Sequence, residues 1–379
     1  MENISVRKED QILMSLVHYF VTKENYTPIF VHGVKDEIWL EKVDGPYRVI
    51  RINSHRIFNE EQFKFDQYKI KDILRQIKKK TMSFKINALN INLNADEDLK
   101  LEMFDNIDNV KVNGIKDVLK NETLLEVFPN IQGNLIDNPN GVELIFNVTK
   151  DINEKTEKDN KKFEKIFSPK KTYITYGIIG LCLIMYLVLS LFGGPNGLSL
   201  LMLGANYGKL IKSGQVWRLI TYAFLHGGVA HLLCNMYSLS IIGAETESRF
   251  GKIRFLGIYL LSAIGGGLLS AVLGDYVSVG ASGAIFGLLG AMVYFGSRFR
   301  IYFRQSINSK FMPVILLNLF IGFVIPGIDN YCHIGGLITG YLAAMTVGIP
   351  EDNKKSDRIN GVILLTVFIA FLGYLIFFR

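Results

Sequence analysis

The chain has very little with which to cross-link itself. Its 379 residues include three cysteines, Cys182, Cys234 and Cys332, none with a CxxC partner and all in or beside apolar runs. That usage argues against a disulfide framework or a structural zinc site, and each cysteine reads as a small apolar filler. The opening stretch Met1 to Asp10 is polar. It lacks the apolar core of a signal peptide, so membrane insertion is expected to begin at an internal segment. No His-Glu-x-x-His sequence occurs, which removes that pattern of zinc hydrolase. Long apolar runs are absent before residue 172 and dominate after it. The first 171 residues also lack any charge excess. The net +7 of the chain comes from the second half, where basic residues outnumber acidic ones two to one. A surplus confined to short loops between apolar runs points to membrane orientation and away from a nucleic-acid partner.

Three regions follow. Residues 1–150 read as a soluble α+β or α/β domain. Ile12, Leu13, Leu16, Val17 and Phe20 recur at helical spacing and predict a helix over about 8–22. Strands are expected at Pro28–Val31, Glu37–Glu41 and Tyr47–Ile52, with turns at Lys35-Asp36 and Asp44-Gly45. Asn59 to Lys80 reads as a second helix ending in a solvated Lys78-Lys79-Lys80. Ser83–Asn94 reads as a strand pair or a bulged strand, and Val110–Val112 and Val142–Val148 as further strands. The order is similar to a reduced restriction-endonuclease-type core. The Glu-x-Lys metal signature is not in place, since Glu41 and Lys42 are adjacent, so no nuclease activity is expected. His18, His32 and His55 share no ligand-type spacing and read as ordinary histidines. Residues 151–171 form a linker dense in both signs, expected to be a mobile tether or a charge-laced helix.

Residues 172–379 hold about seven candidate spans: Thr172–Phe192, Val229–Ala244, Phe255–Gly274, Ala281–Ser297, Phe311–Ile325, His333–Ile349 and Asn360–Phe378. Each is apolar for roughly the length that a hydrocarbon core of about 30 Å requires. The connection from Leu198 to Leu225 is apolar enough to lie partly in the interface. Arg249, Lys252 and Arg254 fall in one loop. Arg298, Arg300, Arg304 and Lys310 fall in another, and Lys354, Lys355 and Arg358 in a third, while the alternate loops are nearly free of basic residues. Counting positive charge inside puts residues 1–150 in the cytoplasm and Arg379 outside.

That topology gathers scattered polar residues at one level. His226, His231 and Asn235 open the second span, Ser282 the fourth and His333 the sixth, all toward the outer leaflet. Polar side chains are poorly tolerated at membrane depth unless they are used. A serine hydroxyl needs a base within hydrogen-bond reach, and His333 is the candidate. Ser282 at a helix start faces free N–H groups that favour an oxyanion. His231 and Asn235, four apart on one helix face, are able to donate to the same oxyanion. Gly336 and Gly340 form a small-residue face that lets the sixth span approach Gly283, Gly287 and Gly290 of the fourth. Phe286, one turn after Ser282, is expected to pack on the His333 ring. No charged relay lies inside the spans, so a transporter is disfavoured.

These motifs are Trp217-Arg218, His226-x4-His231-x3-Asn235, Glu247-x-Arg249-x-Gly251, Gly280-x-Ser282-Gly283 and His333-x2-Gly336-x3-Gly340. Over about 172–379 the chain resembles the rhomboid family of intramembrane serine proteases, with an arrangement like its six-plus-one members. The resemblance implies an all-α polytopic bundle with a Ser282–His333 dyad. It implies an oxyanion site from His231, Asn235 and the Ser282 N–H, with Gly280 in support. Asp329 is then no triad member, and Glu247 with Arg249 reads as a structural ion pair or as solvated. It further implies transmembrane protein substrates in a lipid bilayer, and no cofactor or metal. A membrane-client adaptor or sensor acting through the cytosolic domain is the alternative, and the ligand of that domain is not specified by the sequence.

Overall fold

The computed structural model describes residues 6–378 except 32, 43, 82–85, 97, 137–139, 169, 300–311, 325, 326 and 353. The expectations for His32, Arg300, Arg304, Lys310 and Arg379 lie outside the described residues, as does the beginning of the Ser83–Asn94 stretch. The chain divides into two compact units, Met1–Lys161 and Lys162–Arg379.

The first unit starts with helix α1 (Lys8–Thr22), which buries Ile12, Leu13, Leu16, Val17 and Phe20 as their spacing predicts. Strands β1 (Thr27–Ile29), β2 (Glu37–Glu41) and β3 (Val49–Asn53) form an antiparallel meander. Helix α2 (Glu60–Thr81) then crosses over to β4 (Ala88–Asn92), parallel to β3, and β5 (Ile107–Lys111) adds parallel to β4. The five strands keep their sequence order in one mixed sheet. Its core on one face joins Ile50, Ile52, Leu89 and Ile91 to α1; on the other, Val49, Ala88 and Ile107 meet Ile70 and Leu74 of α2. All five residues of β3 and of β4 are buried. A strand covered on both faces does not alternate. That is why Ser83–Asn94 looks irregular, and its described part holds the one strand β4, flanked by β3 and β5 and not folded back as a strand pair.

Short helices α3 (Ile115–Val118) and α4 (Glu122–Val127) lead to α5 (Gly141–Phe167). The strand expected at Val142–Val148 is therefore helix. Leu144 and Val148 are buried while Val142 and Phe146 are exposed. That is a spacing of four, not of two, and a short apolar run does not reveal it. The charged stretch after Lys150 continues the same helix, stapled by pairs such as Lys161 to Glu157 one turn apart. The boundary between the units falls inside this helix, not at residue 150.

Among its described residues, the regular elements of the second unit are all helices. It contains α6 (Tyr173–Leu191), α7 (Gly197–Met202), α8 (Gly208–Lys212), α9 (Arg218–Thr221), α10 (Val229–Ser238), α11 (Ala244–Phe250) and α12 (Lys252–Leu273). It ends with α13 (Ser282–Arg298), α14 (Met312–Val324), α15 (Asn330–Val347) and α16 (Lys355–Phe378). A π turn, Leu239–Gly243, joins α10 to α11. Among the described residues, α6, α12 and α16 are long and apolar enough to cross a membrane by themselves. Arg218–Phe224 and Val229–Phe250 together make a fourth, bent by 96°. The other expected spans are shorter: α13 has 17 residues and α14 has 13. Helix α13 is buried along most of its length and packs against α12 and α15 at the centre of the bundle. The chain is a multi-pass membrane protein with a soluble domain before its bundle.

Glycine sets the closeness of that centre. A Cβ on Gly336 would run into the backbone of Gly283, and one on Gly340 into the backbone of Gly287. The connection before the second span is organised by Arg218, which is 6% exposed. Its guanidinium donates to the carbonyls of Leu201 at 2.8 Å and Ala205 at 2.9 Å. Cys182 and Cys332 are buried, but Cys234 is exposed on α10 and is not a filler.

Candidate active site

Ser282 is the first residue of α13, and the first intrahelical bond there runs from Ile285 N to Ala281 O. The N–H groups of residues 282–284 thus have no intrahelical carbonyl, as at any helix start. Gly280 precedes it with φ +126° and donates its N–H to Tyr222 O at 3.0 Å. A side chain at position 280 would meet the His231 ring, whose Cε1 and Nε2 stand 2.8 Å from where its Cβ would be. Glycine is needed here both for the backbone angle and for the approach of that ring.

His333 lies in the first turn of α15. The helix begins at Asn330, three residues earlier than expected, because Asp329 caps it by accepting from Cys332 N at 2.9 Å. His333 Nε2 is 2.9 Å from Ser282 Oγ. The ring is 7% exposed and lies on Phe286, with centroids 4.2 Å apart and planes at 10°. His333 Nδ1 is buried and has no partner among the described residues. The Asp329 carboxylate is directed elsewhere, to Cys332 N, Ser270 and Tyr276.

His231 Nδ1 accepts from Gly227 N at 3.4 Å, a tautomer that leaves the proton on Nε2, beside Gly280. Asn235 follows one turn later, as the spacing predicts. One of its amide hydrogens goes to His231 O at 2.9 Å, and the other is left over. No hydrogen bond joins Asn235 to Ser282 or His333. His226 is fully buried, its ring edge-on to His231 at 5.2 Å.

Tyr222, Ser270 and Tyr276 were not singled out from the sequence. Tyr222 is fully buried; its hydroxyl donates to Ala263 O at 2.8 Å and lies 3.2 Å from Cys332 Sγ, while its carbonyl holds Gly280. Nothing marks it in an apolar stretch. Away from the site, Thr175 also went unread, as the partner of Glu247. The Glu247–Arg249 pair is replaced by two separate contacts. Glu247, 1% exposed, accepts from Ile174 N at 3.0 Å and from Thr175 N and Oγ1 at 2.8 Å, closing the start of α6. Arg249 pairs with Glu245 at 2.8 Å and donates to Phe167 O.

Comparison with known proteins gives a consistent picture. Residues 213–350 match the family model described as Rhomboid domain. The chain is 39% identical over 222 residues to "Rhomboid protease GluP" of Bacillus subtilis (strain 168), covering 58% of this chain and 44% of that protein. It is 44% identical over 177 residues to "RHOMBOID-like protein 4" of Arabidopsis thaliana, covering 44% of this chain and 43% of that one. It is 36% identical over 170 residues to "Rhomboid-like protease 1" of Toxoplasma gondii, covering 43% and 57%. The chain spans about half the length of the curated relatives it matches.

Proposed function

Because the domain over residues 213–350 makes this chain a member of the rhomboid family, we propose that it is an intramembrane serine endopeptidase that cuts peptide bonds in or near transmembrane segments. The observation that carries the proposal is the 2.9 Å approach of Ser282 Oγ to His333 Nε2 at two helix starts. Neutral His333 accepts the hydroxyl proton as Oγ attacks the scissile carbonyl carbon. The oxyanion forms beside the free N–H groups at the start of α13, within the field of its positive end. His231 Nε2–H and the remaining amide hydrogen of Asn235 are assigned as further donors, with Gly280 allowing the first to come close. His333 then returns the proton to the leaving amine, and water attacks the acyl-enzyme by the same route in reverse. A substrate helix hides its carbonyls, so segments that unwind readily are the favoured ones. The soluble domain is assigned to the cytoplasm and the dyad to the outer leaflet, following the basic loops.

The test is cleavage of a reporter transmembrane substrate in liposomes. Ser282→Ala and His333→Ala are each expected to lower turnover by about 10⁴-fold or more. Asn235→Ala is expected to lower it by about 10²–10³-fold with the fold intact. Unchanged cleavage by Ser282→Ala overturns the proposal. A second, compatible role as a client-binding adaptor is favoured by the independent core of the soluble unit and its cleft of about 510 Å³ between His55, Phe65 and Lys69. That role survives Ser282→Ala in a client-binding assay.

A further inference from the structure

We infer that Asp329 is a positioning residue, acting through the backbone of α15 with no hydrogen bond of its own to the imidazole. The inference rests on the reading of Ser282 and His333 as the reacting pair. A base that must accept a proton at 2.9 Å has to be held in place, and here no side chain grips the far side of the ring, since His333 Nδ1 has no partner among the described residues. The ring is instead located by the Phe286 face and by where the first turn of α15 sits. Asp329 fixes that turn. Its Oδ1 accepts from Cys332 N at 2.9 Å and from Tyr276 Oη at 2.8 Å, its Oδ2 accepts from Ser270 Oγ at 2.5 Å, and its carbonyl accepts from His333 N at 3.2 Å.

The three side-chain bonds reach three separate pieces of chain. Ser270 is in the last turn of α12, and Tyr276 is in the segment between α12 and α13 that delivers Gly280 and Ser282. Cys332 is in the helix that carries the base. One carboxylate therefore ties the approach to the nucleophile to the helix bearing the base. A misplacement of 1 Å between reacting groups lowers a rate by about 10²-fold, so loosening this tie acts on turnover more than on binding.

The full-length protein in liposomes provides the test, with active enzyme counted by end-point labelling with a serine-directed fluorophosphonate. Tyr276→Phe removes one hydroxyl and is expected to lower kcat per labelled site by about three- to tenfold, with KM unchanged. Asp329→Asn is expected to lower it further. Adding Tyr276→Phe to Asp329→Asn is expected to have no additional effect, because the two changes break one tie. In Tyr276→Phe, which leaves the carboxylate in place, the midpoint of the pH–rate profile stays where it is in the wild type. Unchanged kcat per labelled site in Tyr276→Phe, with only the melting temperature lowered, overturns the inference. So does a moved pH midpoint in Tyr276→Phe, which would mean that the titration of the ring, and not its place, has changed. If Asp329→Asn does not fold, Tyr276→Phe decides. A wild type that neither labels nor cleaves overturns the reading of the site instead.

Discussion

At the centre of the soluble unit lies a guanidinium; at the centre of the membrane unit lies glycine. Arg51 of β3 is 0% exposed and is held by Asp66 through two bonds of 2.7 Å, by Asn90 at 3.0 Å and by Glu37. Gly283, Gly287, Gly336 and Gly340 bring α13 and α15 into backbone contact. The difference follows from the solvent in which each unit folds. In water the hydrophobic effect supplies a core, and a buried ion network is tolerated if every lone pair and proton is met. In lipid the apolar side chains gain nothing by turning inward, so close packing of small residues joins the helices. The one carboxylate driven deep into the membrane unit's described packing, Glu247, serves backbone N–H groups at a helix start, where lipid would leave them unmet.

Three substitutions sharpen this contrast. The largest effect is expected from Gly340→Leu, whose side chain has no room against Gly287. It is expected to cost on the order of 4–5 kcal/mol or more and to abolish fluorophosphonate labelling, leaving residues 1–161 folded by limited proteolysis. Next is Asp66→Asn, which strips a charge partner from Arg51 and is expected to destabilise the soluble unit by about 3–5 kcal/mol. Trp39, whose ring lies 5.6 Å from the Arg51 guanidinium, reports the unfolding by fluorescence. Labelling of Ser282 is expected to persist there. Smallest is Glu247→Gln, which keeps one acceptor oxygen but sets an NH2 group where the second oxygen accepts from α6, at about 1–3 kcal/mol in the thermal melt of the membrane unit. If Gly340→Leu is harmless while Glu247→Gln unfolds the bundle, the contrast between the units is wrong.

What the sequence made legible was set by spacing. The α1 stripe, the i, i+4 glycines and the step from Ser282 to Phe286 could be read from helical periodicity alone, whereas the pairing of Ser282 with His333 was read from the order of the spans and the motifs at their starts. The neighbours of the carboxylates could not. Glu247 and Arg249 look like a pair two residues apart, yet an α-helix points such residues in different directions. Their partners, Thr175 and Glu245, depend on tertiary packing in the first case and on an unremarked turn in the second. Asp329 invited a triad reading by its position, and only the fold directs its oxygens to Ser270 and Tyr276. The run Val142–Val148 failed for a related reason: strand-forming residues in a short window carry no length, and the helix declares itself only through the charged residues that follow it.

The central claim is that Ser282 is a nucleophile made reactive by His333. Mass spectrometry of the purified protein after fluorophosphonate treatment in liposomes tests it most directly. The account predicts a single covalent adduct on Ser282, formed in the wild type and lost in His333→Ala. An adduct on another residue, or one that forms on Ser282 at the same rate without His333, contradicts it.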